Sequence, residues 1–116
     1  MTDLNTNSEQ LSVLDDNIDK ARDELATAQE ALADAEYSLT IKRETEIFKA
    51  KYDEKLSDIT AKSKATVACA VELRSYMTAD AKNKRARIAL DKAIDRKTTL
   101  MEQNYNIRCQ IKQFGG

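Results

Sequence analysis

The sequence predicts an all-α chain, with long helices forming an antiparallel coiled-coil hairpin or bundle that self-associates. Three observations carry this. The 116 residues contain no proline, and both glycines stand at the very end, Gly115 and Gly116, so nothing in the interior breaks a helix or supplies a tight turn. Leu11, Leu14, Ile18, Ala21, Leu25, Ala28, Leu32, Ala35 and Leu39 recur at alternating steps of three and four, the heptad signature of a helix seam. A second seam of the same spacing follows near the C-terminus. Of 48 apolar residues 16 are alanine, so little bulky surface is available for a monomeric core, and association with itself or a partner is expected.

Residues 1–8 are polar and expected to fray. Ser8 is a candidate cap, although Leu11 stands where a capping box would place Glu or Gln. A first helix is predicted over about residues 9–56. One seam position is always Leu or Ile, while the other becomes alanine after Leu14, which lets two helix backbones approach closely. The seam falters after Leu39, where Lys42 takes the next core position. Ile41, Ile47, Phe48, Tyr52, Leu56 and Ile59 then continue an apolar face in shifted phase. At the α-helical rise, 45 such residues span roughly 65 Å.

A second helix is predicted over about 58–77, with Ser57 and Ser63 as candidate breaks before or within it. Thr78-Ala-Asp80 is the clearest punctuation, since a Thr or Asp side chain there caps a new helix over about 80–114. In that third helix Ala86, Leu90, Ala93, Lys97, Leu100, Asn104, Ile107, Ile111 and Phe114 repeat the three-four steps, with Lys97 and Asn104 as polar seam residues that fix register or oligomer state. Residues 11–39 are therefore expected beside 86–114, either within one chain or between chains. The expected oligomer seam comprises Leu11, Leu14, Ile18, Ala21, Leu25, Ala28, Leu32, Ala35, Leu39, Leu90, Leu100, Ile107 and Ile111.

Composition excludes several kinds of chemistry. The chain has no histidine, so Ser63, Ser75 and the thiols lack a histidine base, and no nucleophilic triad is available. Cys69 and Cys109 are 40 residues apart without a Cys-x-x-Cys pair, and no EF-hand spacing exists. No catalytic residue, metal or cofactor is expected, and no enzyme. The polar start, the absence of a long apolar run and two reduced thiols point to a cytoplasmic protein without a membrane partner.

Charge is the feature that suggests function. Net charge is −1, but residues 1–58 hold 15 acids and 7 bases, whereas residues 59–116 hold 5 acids and 12 bases. Such asymmetry means that the halves attract each other or that one half meets a charged partner. Lys82, Lys84, Arg85 and Arg87 form the densest basic cluster, within a longer run that includes Lys62, Lys64 and Arg74. Clustered Lys and Arg neutralise phosphates and release counterions. Tyr52, Tyr76 and Tyr105 lie near them and offer rings on which bases stack. The alternative is a solvated face matched to the acidic residues Asp15 to Glu36, which would themselves engage a basic protein.

Phe48-Lys-Ala-Lys-Tyr52, then Lys62-Ser-Lys-Ala-Thr66-Val, then an Ala/Leu/Lys-rich terminal helix resemble the small all-helical recombination mediators of phages, the UvsY-like group. The likeness covers residues 37–112. It implies a non-enzymatic homo-oligomer that binds single-stranded DNA and helps load a recombinase, with Lys49, Lys51, Tyr52, Lys62 and Lys64 facing DNA. Charge density adds Lys82, Lys84, Arg85 and Arg87, with Tyr76 as a second stacking ring. A helical oligomeric protein-binding module of a virion or scaffold, or an inhibitor of a host protein, with no nucleic-acid role, is the alternative.

Overall fold

A computed structural model describes residues 4–114 and the side-chain surroundings of residues 8–112. Three helices follow one another, α1 (Leu4–Tyr52), α2 (Asp58–Ala68) and α3 (Ala70–Phe114), with no strand among the described residues. α1 packs against α3 as a helical hairpin, so the pairing of seams occurs within one chain. Residues 1–3 of the expected frayed start, and the closing glycines, lie outside the described residues. Leu4 to Ser8 are helical, which places Ser8 inside α1 rather than at its cap.

The chain divides into two compact units. Unit 1 joins Met1–Ala26 to Arg85–Gly116, and unit 2 is the continuous stretch Thr27–Lys84. In unit 1 the seam residues Leu11, Leu14, Ile18, Ala21 and Leu25 are buried or half-buried, as are Leu90, Lys97, Leu100, Asn104 and Ile107 from α3. Ile111 is 53% exposed and leaves the seam. Asp15 and Lys97 form an ion pair at 2.5 Å. In unit 2, Ala28 and Ala31 of α1 lie beside Arg74, Ser75, Thr78, Ala79 and Lys82, so this part of the first seam faces residues before 86.

The physical reason is that α3 begins earlier than Thr78-Ala-Asp80 suggests. Thr78 Oγ1 donates to the Arg74 carbonyl at 3.0 Å, and Asp80 pairs with Lys84 at 2.9 Å. Both potential capping groups are thus engaged along an unbroken helix. The interruption falls at Cys69, with φ −94° and ψ 13°, where a single residue leaves helical geometry. The helix bonds resume at once, since Leu73 N–H donates to the Cys69 carbonyl at 2.8 Å. Ala61, Ala65 and Cys69 are almost wholly buried. Their small side chains at steps of four let α2 press closely onto its neighbour.

The α1–α2 joint falls at Ser57, one of the two candidate breaks, although α1 ends at Tyr52 and not near residue 56. Ser57 is the N-cap of α2, its Oγ accepting from Thr60 N–H at 3.3 Å. Lys55 has φ 56° in the left-handed region, which turns the chain out of α1 and lets Leu56 N–H donate to the Ala50 carbonyl at 3.0 Å.

The phase shift expected after Leu39 occurs only in part: Ile47 and Leu56 are half-buried, but the other four residues of that face are not. Lys42 and Glu46 are half-buried and continue the first seam, Ala50 is buried one position beyond the next regular step, and Lys42 pairs with Glu46 at 3.3 Å. Ile41, Phe48, Tyr52 and Ile59 are instead exposed. On the other side Cys69, Glu72, Tyr76, Ala79, Asn83 and Ala86 carry the α3 seam back to the start of the helix. The core is thin. Among the described residues eight apolar side chains are buried, and of these only Ile18 and Leu100 are large. A large aliphatic side chain contributes about 1.5–3 kcal/mol when fully buried.

Candidate nucleic-acid interface

Unit 2 holds most of the residues that sequence assigns to DNA. Lys49 and Lys62 are exposed and make no ion pair among the described residues, although the charge of Lys62 is felt at Asp58. Lys51 lies on the last turn of α1 and bridges the joint to Asp58 at 2.6 Å. The hydrogen bond and the charge of Asp58 raise the Lys51 ammonium above the ordinary lysine value, and the same contact lowers the Asp58 carboxyl. Asp58 also opens α2, where negative charge suits the helix dipole. Lys64 bonds to Glu54 across the same joint. Lys51 and Lys64 therefore brace the turn.

The tyrosines separate. Tyr52 is 67% exposed, its ring 4.5 Å from that of Phe48. Tyr76 is half-buried in the α3 seam and presents less of its ring to a base. Lys82 and Lys84 are exposed on α3, Lys84 held by Asp80, whose hydrogen bond and charge raise its ammonium. Arg85 and Arg87, which belong to unit 1, are exposed as well.

Sequence reasoning placed Arg74 only within the basic run, and unit 2 gives it a setting. Arg74 and Lys82 line a groove of about 380 Å³ with Ser75, Thr78 and Ala79 of α3 and with Ala28 and Ala31 of α1. Arg74 and Lys82 are eight residues apart, so they stand roughly 12 Å apart along the helix. Neither makes an ion pair among the described residues. The signal for this groove was present as alanine at 28, 31 and 79, where larger side chains would fill it.

Charge matching between the two sequence halves is diffuse. Unit 1 contains nine basic and ten acidic residues, and unit 2 ten of each, so folding brings each unit near neutrality. Within the acidic face from Asp15 to Glu36, Asp15 meets Lys97, and Asp19 lies 4.0 Å from Arg22. Lys51, Lys64 and Lys84 pair instead with Asp58, Glu54 and Asp80, outside that face. Cys69 is buried, and burial followed by the Glu72 charge raises its thiol. Glu72 Oε2 and Asn83 Oδ1 are buried without a hydrogen-bond partner.

Among the described residues no three acidic or thiol side chains cluster closely enough to hold a metal ion, and no helix is long and apolar enough to cross a membrane. No protein-family model matches the chain, and no curated protein or solved structure is similar to it.

Proposed function

We propose that this chain is a non-enzymatic accessory protein that binds single-stranded DNA. One observation carries the reading: Lys49, Lys62, Arg74 and Lys82 of unit 2 are exposed and hold no ion pair among the described residues, although Glu30, Asp34 and Glu36 of the acidic stretch fold into the same unit. Had these four served chiefly to match Glu30, Asp34 and Glu36, ion pairs would join them. Cations left in water bind phosphate with little cost beyond their own hydration, and affinity follows the release of counterions. Arg87 in unit 1 adds to this set. Assistance in recombinase loading extends the proposal on the strength of the UvsY-like resemblance, and homo-oligomerisation belongs to the same reading. The neutral balance of each unit favours the second reading, a helical module that binds protein.

Anisotropy of a labelled single-stranded DNA, titrated with the protein at several salt concentrations, tests the choice. Binding is expected to weaken steeply with salt. Replacing Lys49, Lys62, Arg74 and Lys82 by Gln should flatten the log–log salt slope by about three, at roughly 0.7 per phosphate contact for single strands. An unchanged slope in a variant of full helicity removes this surface. No binding at low salt removes the DNA reading and leaves the protein-binding module.

A further inference from the structure

The outer face of α1 in unit 2 carries an apolar stripe that the chain itself does not cover. Tyr37 is 70% exposed, Ile41 50%, Phe48 62% and Tyr52 67%. At 100° per residue these four fall within an arc of about 60°, on the side of the helix away from Leu39, Lys42, Glu46 and Ala50. Exposed large residues scattered singly need no explanation, but an aligned set of four marks an interaction site.

The order of the stripe says what fits it. Tyr37 and Tyr52 lie at equal distances from the peptide bond between Glu44 and Thr45, and so do Ile41 and Phe48. The stripe therefore reads aromatic, apolar, apolar, aromatic in either direction. A two-fold contact requires a surface complementary to itself, in which residue i meets j and j meets i. We infer that the occupant is a second copy of this chain, its α1 antiparallel, with the dyad at Glu44–Thr45. Tyr37 then meets Tyr52 of the second copy, and Ile41 meets its Phe48.

Two further observations agree. Thr45 Oγ1 donates to the Ile41 carbonyl at 2.7 Å, so the hydroxyl nearest the dyad enters the contact already satisfied. The three rings are about two-thirds exposed and offer roughly 300–500 Å² per copy, an apolar centre for an interface of about 800 Å² per partner. Glu44 of each copy flanks the dyad, so the two carboxylates repel weakly. Salt then strengthens the pairing, opposite to its effect on DNA binding, and the two proposals fail separately.

The decisive experiment combines mass with register. Sedimentation equilibrium of the full chain at micromolar concentration is expected to give a dimer. Ile41→Lys with Phe48→Lys should give a monomer of unchanged helicity, while Val13→Lys, at an exposed apolar position of unit 1, should leave the dimer intact. Register is read with Cys109→Ser as background, the buried Cys69 retained. Thr45→Cys should cross-link to its own counterpart, the two lying within about 2 Å along the axis, whereas Ser38→Cys, roughly 20 Å from its counterpart, should not. This measurement leaves the stripe unaltered, so it stands even where the lysine variants lose structure. A monomer under these conditions, or cross-linking at Ser38→Cys equal to that at Thr45→Cys, overturns the inference and assigns the stripe to another partner or a parallel arrangement.

Discussion

Lys55 and Ser57 share the short turn between α1 and α2 but suit it unequally. Ser57 caps α2, whereas Lys55 occupies a left-handed conformation that a Cβ disfavours by about 1–2 kcal/mol. Lys55→Gly is therefore expected to stabilise the chain by up to about 1 kcal/mol, the flexibility that glycine adds to the unfolded chain offsetting part of the gain. Thermal unfolding of the variant should move upward by a few degrees. The thiols are similarly contrasted. Cys109 is exposed and hydrogen-bonded with the Tyr105 hydroxyl, while Cys69 is buried with its thiol pushed up, so little thiolate forms at neutral pH. Mass spectrometry after brief iodoacetamide treatment should find Cys109 alkylated and Cys69 untouched until denaturant is added. Early modification at Cys69 would contradict its burial.

At the scale of the helix, the first seam from Leu11 to Leu39 was legible because its residues are apolar at every step. Spacing puts Lys42 next in that seam, but its continuation into Glu46 is masked, because both are charged and lie beside the conspicuous Ile41, Phe48 and Tyr52. Bulk apolar residues were read as the buried face when alanine and paired charge occupy it. The same masking hid Glu72, Tyr76 and Asn83 in the first half of the α3 seam, and it made Thr78-Ala-Asp80 look like a boundary. Of the candidate interface, sequence names Lys49, Lys62 and Lys82, which are exposed, but it cannot reveal that Lys51, Lys64 and Lys84 are held by Asp58, Glu54 and Asp80. Those partners depend on the turn and on side-chain reach. Asn83 supplies the test at this scale. Its buried Oδ1 lacks a partner, so Asn83→Leu should raise stability by about 1–3 kcal/mol, seen as a higher urea midpoint at unchanged slope. A lower midpoint would mean that the amide holds register and that its removal lets the seam slip.

For the whole molecule, the opposite charges of the two sequence halves are an organising feature. Folding converts −8 and +7 along the chain into two units of almost no net charge. The division into units also sets an order of events. Unit 2 is contiguous, so its contacts close within 58 residues of chain, whereas unit 1 joins segments from opposite ends. Loop closure is less costly when chain ends are near in sequence, and contacts of short sequence separation form sooner. As the polypeptide leaves the ribosome, Thr27–Lys84 is complete before the residues that unit 1 requires have been synthesised. The acidic N-terminal segment waits, unpartnered, for the basic C-terminal segment that arrives last, and its charge keeps it solvated in the interval.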